Sequence, residues 1–197
     1  MSFCDAPAPD PSPTVTSEIK RRCPNVFLVI LRQKNANVVV YEARVKSPGV
    51  FDREKPFDVY WLDIDPAYRA TRRAQGIKHD RVELSAFEFN RIFGITWQLI
   101  SDSEAHVKFN VEDWPVRVKL SAMGAKLFAQ HGENCFFVHR GFVSANDRTP
   151  NLTDLKSNVV ELSFTGVLQK TNQLVNVEIV RNGERVGWRV STPSIKN

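Results

Sequence analysis

The chain has 197 residues, of which 42% are hydrophobic and 25% are charged, the proportions of an ordinary globular protein. This length suffices for one domain with a substantial core, so neither disulfides nor metals are needed for its stability. The formal net charge of +5 is a modest excess, which permits an acidic partner without requiring one.

The cysteines and the apolar runs indicate the compartment. Cys4, Cys23 and Cys135 are an odd number at irregular spacing, which is not typical of a disulfide framework and favours a reducing compartment. No apolar run approaches the ~20 residues of a membrane-spanning helix. No signal-peptide core follows the first methionine. We therefore expect a cytoplasmic protein without a membrane span.

Residues 1–24 are predicted to form a disordered, Pro-rich arm in front of a single β-rich domain over residues 25–197. The prolines at every second position of residues 6–13 disfavour both helix and sheet ladder and favour extended polyproline geometry. The basic residues Lys20, Arg21 and Arg22 leave a second interpretation open, in which the arm becomes ordered on a partner.

The domain begins with three predicted strands. The apolar run at 26–32 has the length of a buried strand, and the Asn-containing turn at 34–37 returns the chain as a hairpin partner at 38–45. A loop with Pro and Gly follows. Residues 58–64 then alternate between apolar and polar types, which predicts a third strand.

The segment 66–81 differs from its surroundings because it is basic and has few apolar residues. We call it the basic loop and expect an exposed loop or a surface helical turn. Its cationic residues are Arg69, Arg72, Arg73, Lys78 and Arg81.

A short helix is predicted at about 85–93. Ser85 and Glu88 form a capping-box pattern, and Phe89 and Phe93 lie four residues apart on one helix face. Gly94 is expected to end the helix in the left-handed conformation.

The remainder is predicted to be strands at 95–100, 105–111, 115–121, 134–143, 158–167, 174–181 and 185–191. Asn182 and Gly183 lie between the last two, a strong hairpin pattern because a type I′ turn needs positive φ at both positions. The total of about ten mainly antiparallel strands is large for one open sheet. We therefore predict an all-β sandwich or barrel with one short helix.

The order of several short motifs resembles a family of small β-rich proteins catalogued as a domain of unknown function. The motifs are the hairpin at 27–41, Val-Tyr-Trp at 59–61, Leu-Ser-Ala-Phe-Glu at 84–88, Phe-Gly at 93–94 and Val-Glu-Leu-Ser-Phe-Thr-Gly at 160–166. The resemblance covers about residues 26–181. It implies a β-rich fold and no known activity. Its members occur in bacteria, often with export signals, and in some protists; from the sequence we expect this chain to lack such a signal.

The most metal-like pattern is His131, Cys135 and His139. Imidazole and thiolate are the ligands that zinc prefers, in a tetrahedron of four. A fourth ligand is missing locally, although His106 could supply one from another strand. The simpler interpretation is a buried cysteine with two surface histidines, so we predict no metal and no cofactor.

Catalytic patterns are weaker still. A Cys–His pair would need an exposed, activated Cys135, and the apolar residues at 136–138 indicate burial instead. Asp63 and Asp65 share a predicted strand face and could perform acid–base work. Two carboxylates at a strand end are more often solvated. Catalysis is therefore not favoured.

We predict a non-catalytic binding or structural module that docks into a larger protein assembly, with an acidic cytoskeletal surface as a speculative partner. The five cations of the basic loop would supply the attraction, and the arm would supply reach. The few interleaved aromatics argue against single-stranded nucleic acid. The alternative is a small-molecule binder or hydrolase with a pocket in the mouth of a barrel, ringed by His106, Cys135 and His139.

Overall fold

The structure is a computed structural model. It describes residues 13–32, 37–63, 70, 73–76, 81–86, 89–109, 115–131, 134–145, 159–182 and 185–191. Fourteen strands make up most of this described part of the chain. The elements are α1 Pro13–Arg22, β1 Val26–Arg32, β2 Asn37–Ala43, β3 Val45–Ser47, β4 Val50–Phe51, β5 Phe57–Asp63, β6 Arg81–Glu83, a π-helical turn Phe89–Phe93, β7 Ile95–Leu99, β8 Glu104–Phe109, β9 Pro115–Ser121, β10 Gly124–His131, β11 Asn134–Ala145, β12 Val159–Leu168, β13 Leu174–Asn182 and β14 Arg185–Ser191.

The long strand β11 is the junction of the main sheet. Along one edge it pairs first with β10 and then, from Arg140 onward, with β1 in parallel. Along its other edge it pairs with β12, which continues to β13 and β14. The sheet therefore divides at β11 into two arms, with the orders β1-β2-β5-β6 and β10-β9-β8-β7. Strands β3 and β4 form a separate two-stranded sheet.

The two arms face each other across an aromatic core. Tyr41 of β2 meets Phe109 of β8 with ring centroids 5.5 Å apart, and Trp61 of β5 meets Phe93 at 5.2 Å. Both pairs are edge-on, the geometry that aromatic quadrupoles prefer. Burial of each such side chain stabilises the fold by ~1.5–3 kcal/mol.

The predicted all-β class is confirmed, and the facing arms make the fold sandwich-like. Among the described residues no hydrogen-bonded pairing joins β6 to β7, so these arms do not close into a barrel there. The strand count exceeds the predicted ten. Three of the additional strands, β3, β4 and β6, are only two or three residues long, too short to give a periodic pattern.

The helix predicted at 85–93 is present only as a short helical segment. The amide of Phe89 donates to the carbonyl of Ser85, and the amide of Gly94 then donates to the carbonyl of Phe89 at 2.7 Å. This five-residue spacing is a π turn, which rotates Phe93 away from Phe89. Phe93 is therefore buried while Phe89 is exposed, and Gly94 lacks the positive φ that the prediction assigned to it.

Part of the predicted disordered arm is helical. Helix α1 begins at Pro13, consistent with the preference of proline for the first helical position. Its Ile19 is buried in a small cluster with Val29, Val40 and Tyr60 on the outer side of the β1-β2-β5 arm. Residues 1–12 lie outside the described part of the chain.

Candidate binding surface

The outer side of strands β8, β9 and β10 is built by strict alternation. In β8, Ala105, Val107 and Phe109 are buried, and the residues between them point outward. The same two-residue period places Lys119 of β9 and Lys126 of β10 outward between buried neighbours. We call the outward set of cations the cationic face: Lys108, Arg117, Lys119 and Lys126.

Strand register brings these cations together. Lys126 lies directly opposite Lys119, and β-carbons of directly opposite residues are ~4.5–5.5 Å apart. Arg117 lies opposite Phe128 of β10 on one side and His106 of β8 on the other. Like charges placed directly opposite each other are destabilising in a sheet. The Lys119–Lys126 pair therefore lowers the stability of the fold.

Two phenylalanine rings lie among the cations. Phe128 and Phe137 of β11 are half-buried and have ring centroids 4.5 Å apart. The Nζ atom of Lys119 lies 5.4 Å from the centroid of Phe128, and that of Lys126 lies 5.3 Å from the centroid of Phe137. These cation–π contacts hold the lysine stems over apolar surface while the charges stay in water.

Glu104 is the one carboxylate on the outer side of β7 to β10 among the described residues. It lies 3.7 Å from Arg117 and 3.9 Å from Lys119. Exposed pairs at such distances contribute only ~0–1 kcal/mol. Glu104 therefore offsets little of the positive charge of Arg117 and Lys119.

Lys20 of α1 adds a cation at the border of this face. Its Nζ donates to the carbonyl of Phe27 at 3.4 Å, a long hydrogen bond. Burial, with a smaller effect from the charge of Lys126, lowers the pKa of Lys20 from 10.5 to about 8. The two lysines come near each other because the end of α1 lies against β10, where the amide of Ala125 donates to the carbonyl of Pro24 at 3.1 Å.

Of the basic loop, Arg73 and Arg81 lie among the described residues, and Arg69, Arg72 and Lys78 lie outside them. Arg73 is exposed. Arg81 belongs to β6, where its guanidinium forms an ion pair with Glu42 and stacks 3.9 Å from the ring centroid of Tyr60. The Tyr60 hydroxyl donates to the same Glu42 carboxylate at 3.1 Å. Arg81 therefore fastens the edge strand β6 to its neighbours.

The structure does not bring the predicted metal ligands together within the residues that it describes. Cys135 is half-buried opposite Gln130, and the backbone of His131 pairs with that of Asn134. The side chains of His131 and His139 lie outside the described set. His106 is exposed on the outer side of β8, so it does not ring an internal cavity. Within the described residues no group of three or more His, Cys, Asp or Glu could hold a metal.

Sequence reasoning missed the cationic face because its members come from three strands. The alternation of Arg117 and Lys119 with Val116, Val118 and Leu120 was a visible pattern for β9. Lys126 could not be added to it, because β10 was not among the predicted strands.

The chain also carries the sequence pattern of a family. The family model described as a domain of unknown function, DUF4833, matches residues 28–175. The chain belongs to this family. The match confirms the resemblance noted in the sequence. The matched region runs from β1 into β13 and includes the whole cationic face. No curated protein and no solved structure matches the chain.

None of the helices in the described residues is long and apolar enough to cross a bilayer.

Proposed function

We propose that this protein is a non-catalytic binding module that docks onto an acidic surface of a protein assembly. The observation that carries the proposal is the cationic face, where four cations share one sheet surface with a single described carboxylate. We further propose that the protein acts in the cytoplasm, where an acidic assembly such as a cytoskeletal filament would offer a complementary surface.

The support for a protein partner comes from the form of the face. Its cations are held on a paired sheet, so little ordering of the backbone is needed on binding. Complementary charge raises the rate of encounter and fixes orientation. The rings of Phe128 and Phe137 are half-buried and tilted by 53°, an arrangement poorly suited to stacking of successive nucleic-acid bases.

The basic loop remains in the proposal as a second contact. In this proposal Arg69, Arg72, Arg73 and Lys78 also attract the acidic partner. Arg81 is assigned a different role, because its guanidinium is already engaged by Glu42 and Tyr60.

The proposal is tested with a fluorescein-labelled polyglutamate peptide and fluorescence anisotropy over a series of NaCl concentrations. We expect binding that weakens with salt. Replacing the four cations of the face with Gln should weaken binding at least about tenfold, which is about 1.4 kcal/mol. The matched control replaces four exposed cations elsewhere with Gln: Lys46, Arg53, Lys55 and Lys170.

Both variants lose four positive charges, so they separate a defined surface from overall charge. Equal weakening by the two variants would contradict the proposed surface. A single-stranded oligonucleotide of equal charge is the competing probe. If it binds the wild-type protein more tightly than the peptide does, the partner is not an acidic protein.

A further inference from the structure

We propose that Lys20, Lys119 and Lys126 form a binding site for a phosphoryl group carried by the protein partner. The site lies where α1 meets the edge of the cationic face. This inference deepens the function proposed above and rests on it, because it names the chemical group that the face recognises.

The backbone holds the three lysines in one region. The carbonyl of Pro24, just after α1, accepts a hydrogen bond from the amide of Ala125 at 3.1 Å. Gly124 packs so closely on this segment that a β-carbon there would lie 2.1 Å from the Pro24 carbonyl oxygen. The end of α1 is therefore fixed against Gly124 and Ala125 at the start of β10, and Lys126 follows Ala125 in that strand.

The charges in this region are poorly compensated. Lys119 and Lys126 are opposite each other in the sheet, and Lys20 and Lys126 repel each other across the junction. Among the described residues, no carboxylate lies within ion-pair distance of Lys20 or Lys126, and Lys119 has only Glu104 at 3.9 Å. Within the described residues the ammonium of Lys20 makes one long hydrogen bond, 3.4 Å to the carbonyl oxygen of Phe27.

A phosphoryl group fits this arrangement better than a carboxylate does. It carries a charge of about −1.5 to −2 at neutral pH and three strong acceptor oxygens. Three ammonium groups can each direct a proton at such an anion, as lysines do at many phosphate sites. A single carboxylate would neutralise only one of the cations and leave the Lys20–Lys126 repulsion largely in place.

The test uses two labelled acidic peptides that differ at one position, phosphoserine in one and glutamate in the other. We expect the wild-type protein to bind the phosphoserine peptide about tenfold more tightly, because the dianion makes stronger charge-assisted hydrogen bonds. Lys126→Gln should remove this preference, and Lys46→Gln, which removes an exposed lysine elsewhere, should retain it. Lys126 is exposed, so its replacement leaves the fold intact.

A second measurement reports on Lys20 directly. In NMR titrations of the lysine side chains, the phosphoserine peptide should raise the pKa of Lys20 above about 8, because a bound anion favours the charged amine. Inorganic phosphate at constant ionic strength is the free-anion probe, and a larger response to it than to the phosphopeptide would overturn the proposal.

Equal affinity for the two peptides, with both bound, would also refute the phosphoryl site while leaving the acidic-partner function standing. Failure to bind either peptide would refute both.

Discussion

Tyr41 combines close packing in the core with a buried hydrogen bond. Its side chain is fully buried between Phe27 and Phe109, and its hydroxyl donates to the carbonyl of Phe93 at 2.8 Å. Burial raises the pKa of this phenol, because the ionised form would be desolvated. The hydrogen bond links β2 to the π turn of the opposite arm.

We predict that Tyr41→Phe lowers the free energy of unfolding by ~1–2 kcal/mol, because the Phe93 carbonyl loses its buried donor. Urea unfolding followed by circular dichroism measures this. Tyr60→Phe is the matched control, since that hydroxyl bonds Glu42 in a less buried site, and its loss should be smaller. A neutral Tyr41→Phe would mean that the Phe93 carbonyl has another donor.

At the scale of elements, the junction between α1 and β10 depends on Gly124. Its φ of +124° is disfavoured for residues with a side chain. A β-carbon there would also meet the backbone of Pro24, which cannot move without shifting the end of α1. Two constraints therefore apply at one position.

Gly124→Ala is expected to destabilise the protein by at least ~2–3 kcal/mol through strain and overpacking. Gly76→Ala is the control, because Gly76 has a φ of +80° but no atom within 4 Å of the added carbon, so it should cost only ~1 kcal/mol. Thermal unfolding of the two variants gives the comparison. Equal losses would show that the contact with Pro24 is not decisive.

Some elements could be predicted from the sequence, and others could not. The strand predicted at 26–32 and the one at 115–121 match β1 and β9, because their apolar residues follow a clear pattern. Strands β13 and β14 pair as the predicted hairpin, but Asn182 pairs with Arg185 and so belongs to the strand, where the prediction had placed it in the turn. The turn residues were enough to predict that a hairpin forms, whereas its exact register depends on how the two strands pair.

Strand β10 shows why part of the fold was missed. Its buried positions include Ala125 and Ala129, which have low β propensity. It is a strand because Leu127 and its neighbours pair with β9 on one side and β11 on the other. That tertiary pairing is invisible in a local window, and with β10 the sequence analysis also missed Lys126.

At the scale of the whole molecule, ionisable groups predict how stability depends on pH. Lys20 has a folded pKa of about 8, below its ordinary value of 10.5. The unfolded chain therefore holds this proton more tightly, and stability rises as pH increases between these two values. Tyr41 and Tyr60 have raised pKa values, so ionisation of the unfolded chain lowers stability above ~pH 10.

We predict that the urea midpoint rises from pH 8 to about pH 10 and falls beyond it. The rise should correspond to ~1–2 kcal/mol once solvent screening of the half-buried amine is considered. Lys20→Met removes the titrating amine, so it should flatten the rise and leave the alkaline fall unchanged. A rise of the same size in Lys20→Met would assign it to another group.

The distribution of charge over the molecule is the basis of the binding function that we propose. The basic loop was prominent in the sequence because its cations are contiguous, yet one of them, Arg81, is held by Glu42. The cationic face is assembled from β8, β9 and β10, so its cations are not contiguous in the sequence. Glu104 lies 3.7 Å from Arg117 and 3.9 Å from Lys119, distances at which exposed ion pairs contribute little.

Mapping the contact with an acidic peptide by NMR tests this role most directly. When polyglutamate is added to the labelled protein, we expect signals of the outward residues of β8, β9 and β10 to shift, with the side chains of Lys119 and Lys126 among the most affected. Shifts confined to other surfaces, or no saturable shift at low salt, would contradict the assignment of binding to the cationic face.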